Sequence, residues 1–167
     1  MRNLILVTFV EPVTEGQEFP RSDWPLHITL ARFDINGADA PAGVAARADA
    51  PVRAALGTQL TVGKDDAFGY LGSIPVSLIE PSPALQLLHE SLVDAVVGLS
   101  GTIASPQYTG NNYRPHVSHH GDRRAHPGDA VVLDRVALVD MAPDGGHATR
   151  RILHLWTLPE AGTDKSL

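Results

Sequence analysis

Apolar positions along the chain fall into short runs of two periods. Residues 3–10, rich in Leu, Ile, Val and Phe, read as a buried strand. Residues 26–32 alternate, with Leu26, Ile28 and Leu30 on one side and His27 and Thr29 on the other, which predicts a second strand. Between them, residues 11–23 contain Pro12, Gly16 and Pro20 and read as a loop. The Ala-rich stretch 37–50 predicts a helix that Pro51 ends, and residues 58–62 read as extended. Residues 63–72 look like a turn region and 74–80 like a strand. Ser82 and Pro83 then suit the cap and first position of a helix. Its apolar positions Leu85, Leu88, Leu92 and Val96 repeat at helical spacing, and Gly98 closes it. Residues 101–112 read as a loop, 114–119 as a short strand and 121–129 as a polar turn. Residues 131–141 and 150–158 predict two strands joined by a loop holding Asp144, Gly145 and Gly146, and the tail from Glu160 is expected to fray. Strands and helices mixed in this order, with antiparallel neighbours at the end, give an α+β class.

The histidine strand at 26–32 raises a chemical question, because a strand needs one apolar face but has no need of an imidazole and a hydroxyl two residues apart on the other. The pattern recurs 89 residues later in the stretch Arg114 to His120, where His116 and Ser118 share a face and Val117 points away. Each copy follows a proline, and arginines follow each: Arg32 in the first, Arg123 and Arg124 in the second. Two such copies suit phosphodiester cleavage. One histidine takes a proton from the nucleophile and the other gives one to the leaving oxygen, both near neutral pH. The hydroxyls of Thr29 and Ser118 are placed to donate to non-bridging phosphate oxygens.

Composition narrows the partner. The 167 residues suit one domain spanning 1–167, 43% hydrophobic and 19% charged, an ordinary folded composition. The net charge of −6 and the lack of a basic stripe argue against a long nucleic-acid footprint. Arginines gather in the last third, which leaves room for a small anionic ligand. Cysteine is absent, so disulfides and thiolate metal sites are excluded, in keeping with a reducing cytoplasm. The N-terminal apolar run, about eight residues long, falls short of the roughly 20 that span a bilayer, so no membrane association is expected.

The two motifs, "HITL" at His27–Leu30 and "HVSH" at His116–His119, resemble the paired His-x-Thr/Ser tetrapeptides of the two-histidine (2H) phosphoesterase superfamily, which includes bacterial RNA 2′,3′-cyclic phosphodiesterases, also called 2′-5′ RNA ligases. The second motif has His119 where the family has an apolar residue. The opening "NLILVTFVEP", the stretch "IPVSLIEPSPALQLLHESLVDAV" and the closing "VALVDM" and "ILHLWTL" also fit, so the resemblance covers most of the chain. It implies two pseudo-symmetric α+β lobes whose antiparallel sheets flank a central cleft, each lobe supplying one histidine. It implies cyclic-phosphate opening or 2′-5′ cleavage without metal or cofactor, on a small nucleotide or an RNA end bearing a cyclic phosphate.

The expected site is therefore His27 and His116 as catalytic groups and Thr29 and Ser118 as phosphate ligands. Arg32, Arg114, His120 and Tyr113 are candidate substrate contacts, with Tyr113, Phe68 and Tyr70 as candidates to stack on a base. His89, His119, His147 and His154 are expected to be structural. A non-catalytic nucleotide-binding module of the same fold is the alternative from another class. A metallohydrolase built on His116, His119, His120 and His126 is a third, against which stands the divergence of His116 and His119 on a strand. The protein is expected to be a monomer.

Overall fold

A computed structural model describes residues 1–159. Its ten strands are β1 (Arg2–Phe9), β2 (Glu18–Pro20), β3 (His27–Ile35), β4 (Gln59–Phe68), β5 (Ile74–Ile79), β6 (Thr102–Ile103), β7 (His116–Ser118), β8 (Ala130–Val132), β9 (Arg135–Asp140) and β10 (Thr149–Thr157). Helix α1 (Ala40–Ala55) follows β3 and α2 (Pro83–Gly98) follows β5. The strands form one antiparallel sheet in the order β2-β10-β9-β1-β3-β7-β5-β4-β8, with β6 pairing β3 at its side. The sheet curls into a half-barrel. The class is α+β, and the two halves of the sheet, β2-β10-β9-β1-β3 and β7-β5-β4-β8, meet edge to edge where β3 pairs β7.

Both faces of the β1 side of the sheet are covered, which is why β1 is apolar without alternation. Leu4 and Leu6 face the helices and join Ile28, Leu30, Val117, Val52 and Leu92 in the main core. Ile5, Val7 and Phe9 face the other way into a smaller cluster with Phe19, Met141 and Ile152. The helices pack on each other and on the sheet, α2 mainly on β3 and α1 on β9 and β10. Ser82 caps α2 by accepting from the Leu85 amide at 3.2 Å, with Pro83 in the first turn.

Several boundaries differ from the sequence expectation, each for a tertiary reason. Pro51 lies inside α1 instead of ending it. An interior proline costs about 3 kcal/mol or more, and burial of Val44, Ala48, Val52 and Ala55 on one face offsets it. The polar residues Lys64 to Asp66 suggested a turn, but β4 continues through them to Phe68, with an irregular register between Val62 and Asp65. There Asp65 and Asp66 are held by Arg124 and Arg114. The turn itself is confined to the tip, where Gly69 and Gly72 take positive φ. The stretch expected as one strand over 131–141 is broken at Leu133 and Asp134, because β8 belongs to β4 and β9 to β1 and β10. Glu18 to Pro20, expected as loop, pairs β10. The expected strand over 114–119 shortens to His116–Ser118. The tail from Glu160 lies outside the described residues. Among the described residues no helix is long and apolar enough to cross a membrane.

Candidate active site

β3 and β7 are adjacent and antiparallel, with Ile28 opposite Val117. Both of these side chains are fully buried on the helix side. Alternation therefore turns His27, Thr29, His116 and Ser118 to the opposite, concave face. The same register sets His27 across from Ser118 and Thr29 across from His116, so the two imidazoles lie on a diagonal of one strand pair. They are close enough for a proton on His116 to disfavour one on His27. The four residues that the sequence singled out thus meet at the junction of the two halves. Neither the Thr29 nor the Ser118 hydroxyl is engaged by another described side chain.

Each histidine is oriented in the same way. His27 Nδ1 lies 2.9 Å from the carbonyl of Pro25, and His116 Nδ1 lies 2.9 Å from the carbonyl of Arg114. A carbonyl only accepts, so each Nδ1 carries the proton and donates it, two residues back along the chain. Each Nε2 is left for chemistry: a lone pair when the ring is neutral, an N–H when it is charged.

An aromatic ring and then an arginine back each imidazole. On one flank Phe68 meets His116 edge-on at 4.6 Å between centroids, and Arg114 lies over Phe68 at 4.7 Å. On the other, Trp24 covers His27 at 4.6 Å, and Arg150 lies over Trp24 at 5.9 Å. Phe9 meets His27 edge-on at 5.9 Å. This enclosure strips water from the rings. Burial lowers the His27 pKa from 6.5 to about 4, with smaller contributions from His120 and His116. Burial also lowers that of His116; the hydrogen bond to the Arg114 carbonyl opposes the shift, and the Arg114 charge adds to it.

Trp24 is held in place by Arg123. Its guanidinium donates to Glu11 at 3.2 Å, to Asp23 at 3.0 Å and to the Trp24 carbonyl. Glu11 also accepts from the Leu26 amide at 2.7 Å, so one clasp fixes the residues on both sides of Pro25. Arg123 itself sits beyond a tight turn in which Gly121 has φ +62°.

The β3 strand carries a bulge beside the motif, because Val7 pairs Thr29 and Leu6 pairs Ala31, leaving Leu30 extra. Carbonyls around the bulge are satisfied from behind. The Tyr113 hydroxyl donates to the Thr29 carbonyl at 2.6 Å, and His89 Nδ1 donates to that of Leu30 at 2.7 Å. His89 Nε2 accepts from the Gly110 amide, and its ring stacks on Tyr113 at 3.8 Å. Tyr113 thus supports β3, with one ring face taken by His89, which corrects its expected use as an open platform for a base. Tyr113→Phe is expected to lower the unfolding free energy by about 1–3 kcal/mol, the cost of an unsatisfied acceptor. Urea denaturation checks it, and an unchanged midpoint would show the bond to be dispensable.

The remaining candidates divide. Arg32 projects on the concave face, paired in register with Ile5, and is exposed. Arg114 is engaged by Asp66 at 2.9 Å. His120 lies near His27 at the turn. Tyr70 is exposed at the β4–β5 tip. His119 turns to the helix side, where its Nε2 lies 2.7 Å from the Ser77 hydroxyl, so it diverges from His116. Among the described residues no three His, Cys, Asp or Glu side chains gather as a ligand set. Sequence reasoning missed Trp24 and Glu11, and noted Arg123 only as an arginine following the second motif. Only the position of Trp24, directly before the Pro-Leu-His of the first motif, hinted at a role.

The comparisons with known proteins follow this geometry. A family model described as the 2′-5′ RNA ligase superfamily matches residues 7–138. Among solved structures, one described as a phosphoesterase has a TM-score of 0.60 at 19% identity, covering 95% of this chain and 99% of that one. E. coli LigT complexed with 3′-AMP has a TM-score of 0.58 at 19% identity, with the same coverage. A Thermus thermophilus protein has a TM-score of 0.56 at 18% identity, covering 93% and 97%. Likeness at this identity speaks for the fold. No curated protein matches the sequence.

Proposed function

The chain belongs to the 2′-5′ RNA ligase superfamily, and within it we propose a metal-independent phosphodiesterase that opens 2′,3′-cyclic phosphates of a nucleotide or RNA end. The observation that carries this reading is the pair of imidazoles with identical Nδ1 anchors and free Nε2 atoms on one face, flanked by two unengaged hydroxyls. In the reaction, neutral His27 accepts a proton at Nε2 from water as the water oxygen bonds to phosphorus. The bond from phosphorus to one ribose oxygen breaks, and protonated His116 donates from Nε2 to that oxygen. The product is a phosphomonoester and a free hydroxyl. Thr29 and Ser118 donate to the non-bridging oxygens, where charge concentrates. The assignment of roles follows the enclosure of His27 between Phe9 and Trp24, which disfavours its charged form and suits it to act neutral. Cleavage of a 2′-5′ linkage uses the same two proton transfers, and so does its reversal.

Purified protein is expected to open 2′,3′-cyclic nucleotides in excess EDTA, because both proton transfers are assigned to side chains. A panel of the four cyclic nucleotides, with and without the chelator, tests this. Turnover that stops with EDTA and returns with zinc or manganese would favour metal-bound water instead, and no turnover of any of the four would remove the proposal.

A further inference from the structure

The two flanks of the site repeat one plan, histidine, aromatic ring, arginine, yet differ in charge. On the His116 flank Asp66 neutralises Arg114. On the His27 flank Arg150 meets no carboxylate among the described residues, and neither do Arg21 and Arg32 beside it. Arg150 Nη1 is committed to the carbonyls of Met141, His147 and Thr149 at 2.6, 2.9 and 3.3 Å. Its Nε is buried with no partner, singular among the described side chains. The register puts Arg32 and Arg150 on the concave face. Arg32 pairs with Ile5, whose side chain belongs to the cluster there. Arg150 pairs with Phe19 of the same cluster, and Arg21 lies two residues beyond Phe19, its amide bonded to Ala148.

Three guanidiniums gathered without a counter-charge repel one another. Burial lowers the Arg150 pKa, and Arg21 and Arg32 lower it further. Elsewhere in this chain of net charge −6, Arg2, Arg123, Arg124 and Arg151 each reach a carboxylate within 3.2 Å. A like-charge cluster without carboxylates is relieved when an anion enters it. Trp24 bridges the cluster to the reacting centre, 4.6 Å from His27 and 5.9 Å from Arg150.

We propose that Arg21, Arg32 and Arg150 form a second anion subsite that binds a phosphate of the substrate other than the one attacked. Resting on the phosphodiesterase reading, this narrows the substrate class to nucleotides or RNA ends that carry an additional phosphate on the His27 side. Two sources present that chemistry: a terminal 5′-phosphate on a mononucleotide, and the 5′-linked phosphodiester of an RNA chain.

The test is calorimetric binding of three non-cyclic ligands at about 50 mM salt: 3′-AMP, adenosine 3′,5′-bisphosphate and a diadenylate ending in a 3′-phosphate. The native protein is expected to bind at least one of the latter two ten-fold or more tighter than 3′-AMP. A gain confined to the bisphosphate assigns the subsite to a terminal phosphate, and a gain shared by the diadenylate assigns it to the RNA backbone. The variant with both Arg21→Ala and Arg32→Ala, exposed positions whose loss leaves the core intact, should bring the ratio below about three. Arg53→Ala, an exposed arginine of α1 paired with Asp49 away from the site, should keep it. Equal binding of all three ligands by the native protein, or a ratio retained in the double variant, overturns the subsite. Binding of 3′-AMP without preference, in a protein that opens cyclic nucleotides, would overturn the subsite alone. Failure to bind any of the three would overturn the nucleotide reading with it.

Discussion

Turnover of a 2′,3′-cyclic nucleotide should fall by about 10²- to 10⁴-fold in His27→Ala and in His116→Ala, the usual scale for one positioned acid or base. The double variant should be little slower than either single one, because a base without its acid completes no reaction and the two act as a unit. Removal of a ring that also packs needs a control. His27 sits between Phe9 and Trp24 and bonds the Pro25 carbonyl, so alanine there disturbs the wall as well as the chemistry. His27→Asn keeps an N–H near the Nδ1 position but has no group that titrates near neutrality. It should be as inactive as the alanine variant while unfolding closer to the native protein. Thr29→Val and Ser118→Ala remove one donor to a charged oxygen each, and roughly 10- to 100-fold is expected. Steady-state rates on folded proteins decide it. Near-native rates in both alanine variants would leave the paired imidazoles without a role.

The second large effect is on pH. His27 acts neutral, and burial keeps it so down to about pH 4. His116 acts protonated, and burial holds its pKa below 6.5. The productive combination therefore needs a pH high enough to leave His27 neutral and low enough to keep His116 protonated, and kcat/KM should trace a bell whose maximum is on the acid side of pH 6.5. The sign is fixed by the roles. Raising the pH removes the proton that His116 must give, so the alkaline limb belongs to His116 and the acid limb to His27. At pH 8 little of His116 keeps its proton, so kcat/KM should fall well below its plateau value. Because kcat/KM reports the free protein, a bound phosphate does not enter this argument, whereas kcat reports the complex, where the anion raises both pKa values and moves the bell towards neutrality. A kcat/KM profile flat from pH 5 to 8, or one still rising at pH 8, would contradict the arrangement.

The sequence carried the chemistry more clearly than the walls around it. A two-residue alternation with polar side chains on one face survives any packing, so His27, Thr29, His116 and Ser118 could be read as face-sharing pairs from spacing alone. That the two pairs would lie on neighbouring strands, with Ile28 facing Val117, was not in the spacing. It depends on β7 being inserted beside β3, a pairing across about 90 residues of chain. Helix α2 was legible at its start because its cap and its proline act locally, whereas at its end Gly98 is still helical and the left-handed residue is Ser100. The end of helix α1 was not legible, since the burial that carries it past Pro51 comes from contacts with α2, β9 and β10. The same contrast governs the site. Tyr113 looked like a surface platform, and its real engagement depends on His89 from another element and on a bulge at Leu30. Trp24 and Phe68 flank the two histidines from unrelated loops and strands, the ion pair that neutralises one flank joins Asp66 to Arg114 across 48 positions, and the clasp behind Trp24 joins Glu11 to Arg123 across 112.

The central claim is that one face of the β3–β7 pair opens a cyclic phosphate by proton transfer between two imidazoles. The most direct measurement is phosphorus NMR of 2′,3′-cyclic AMP incubated in EDTA with the native protein, and with the folded His27→Ala/His116→Ala variant. The account predicts that the cyclic signal gives way to a phosphomonoester signal with the native protein and persists with the variant. A cyclic signal that persists with the native protein, or one that both proteins consume at the same rate, would contradict it.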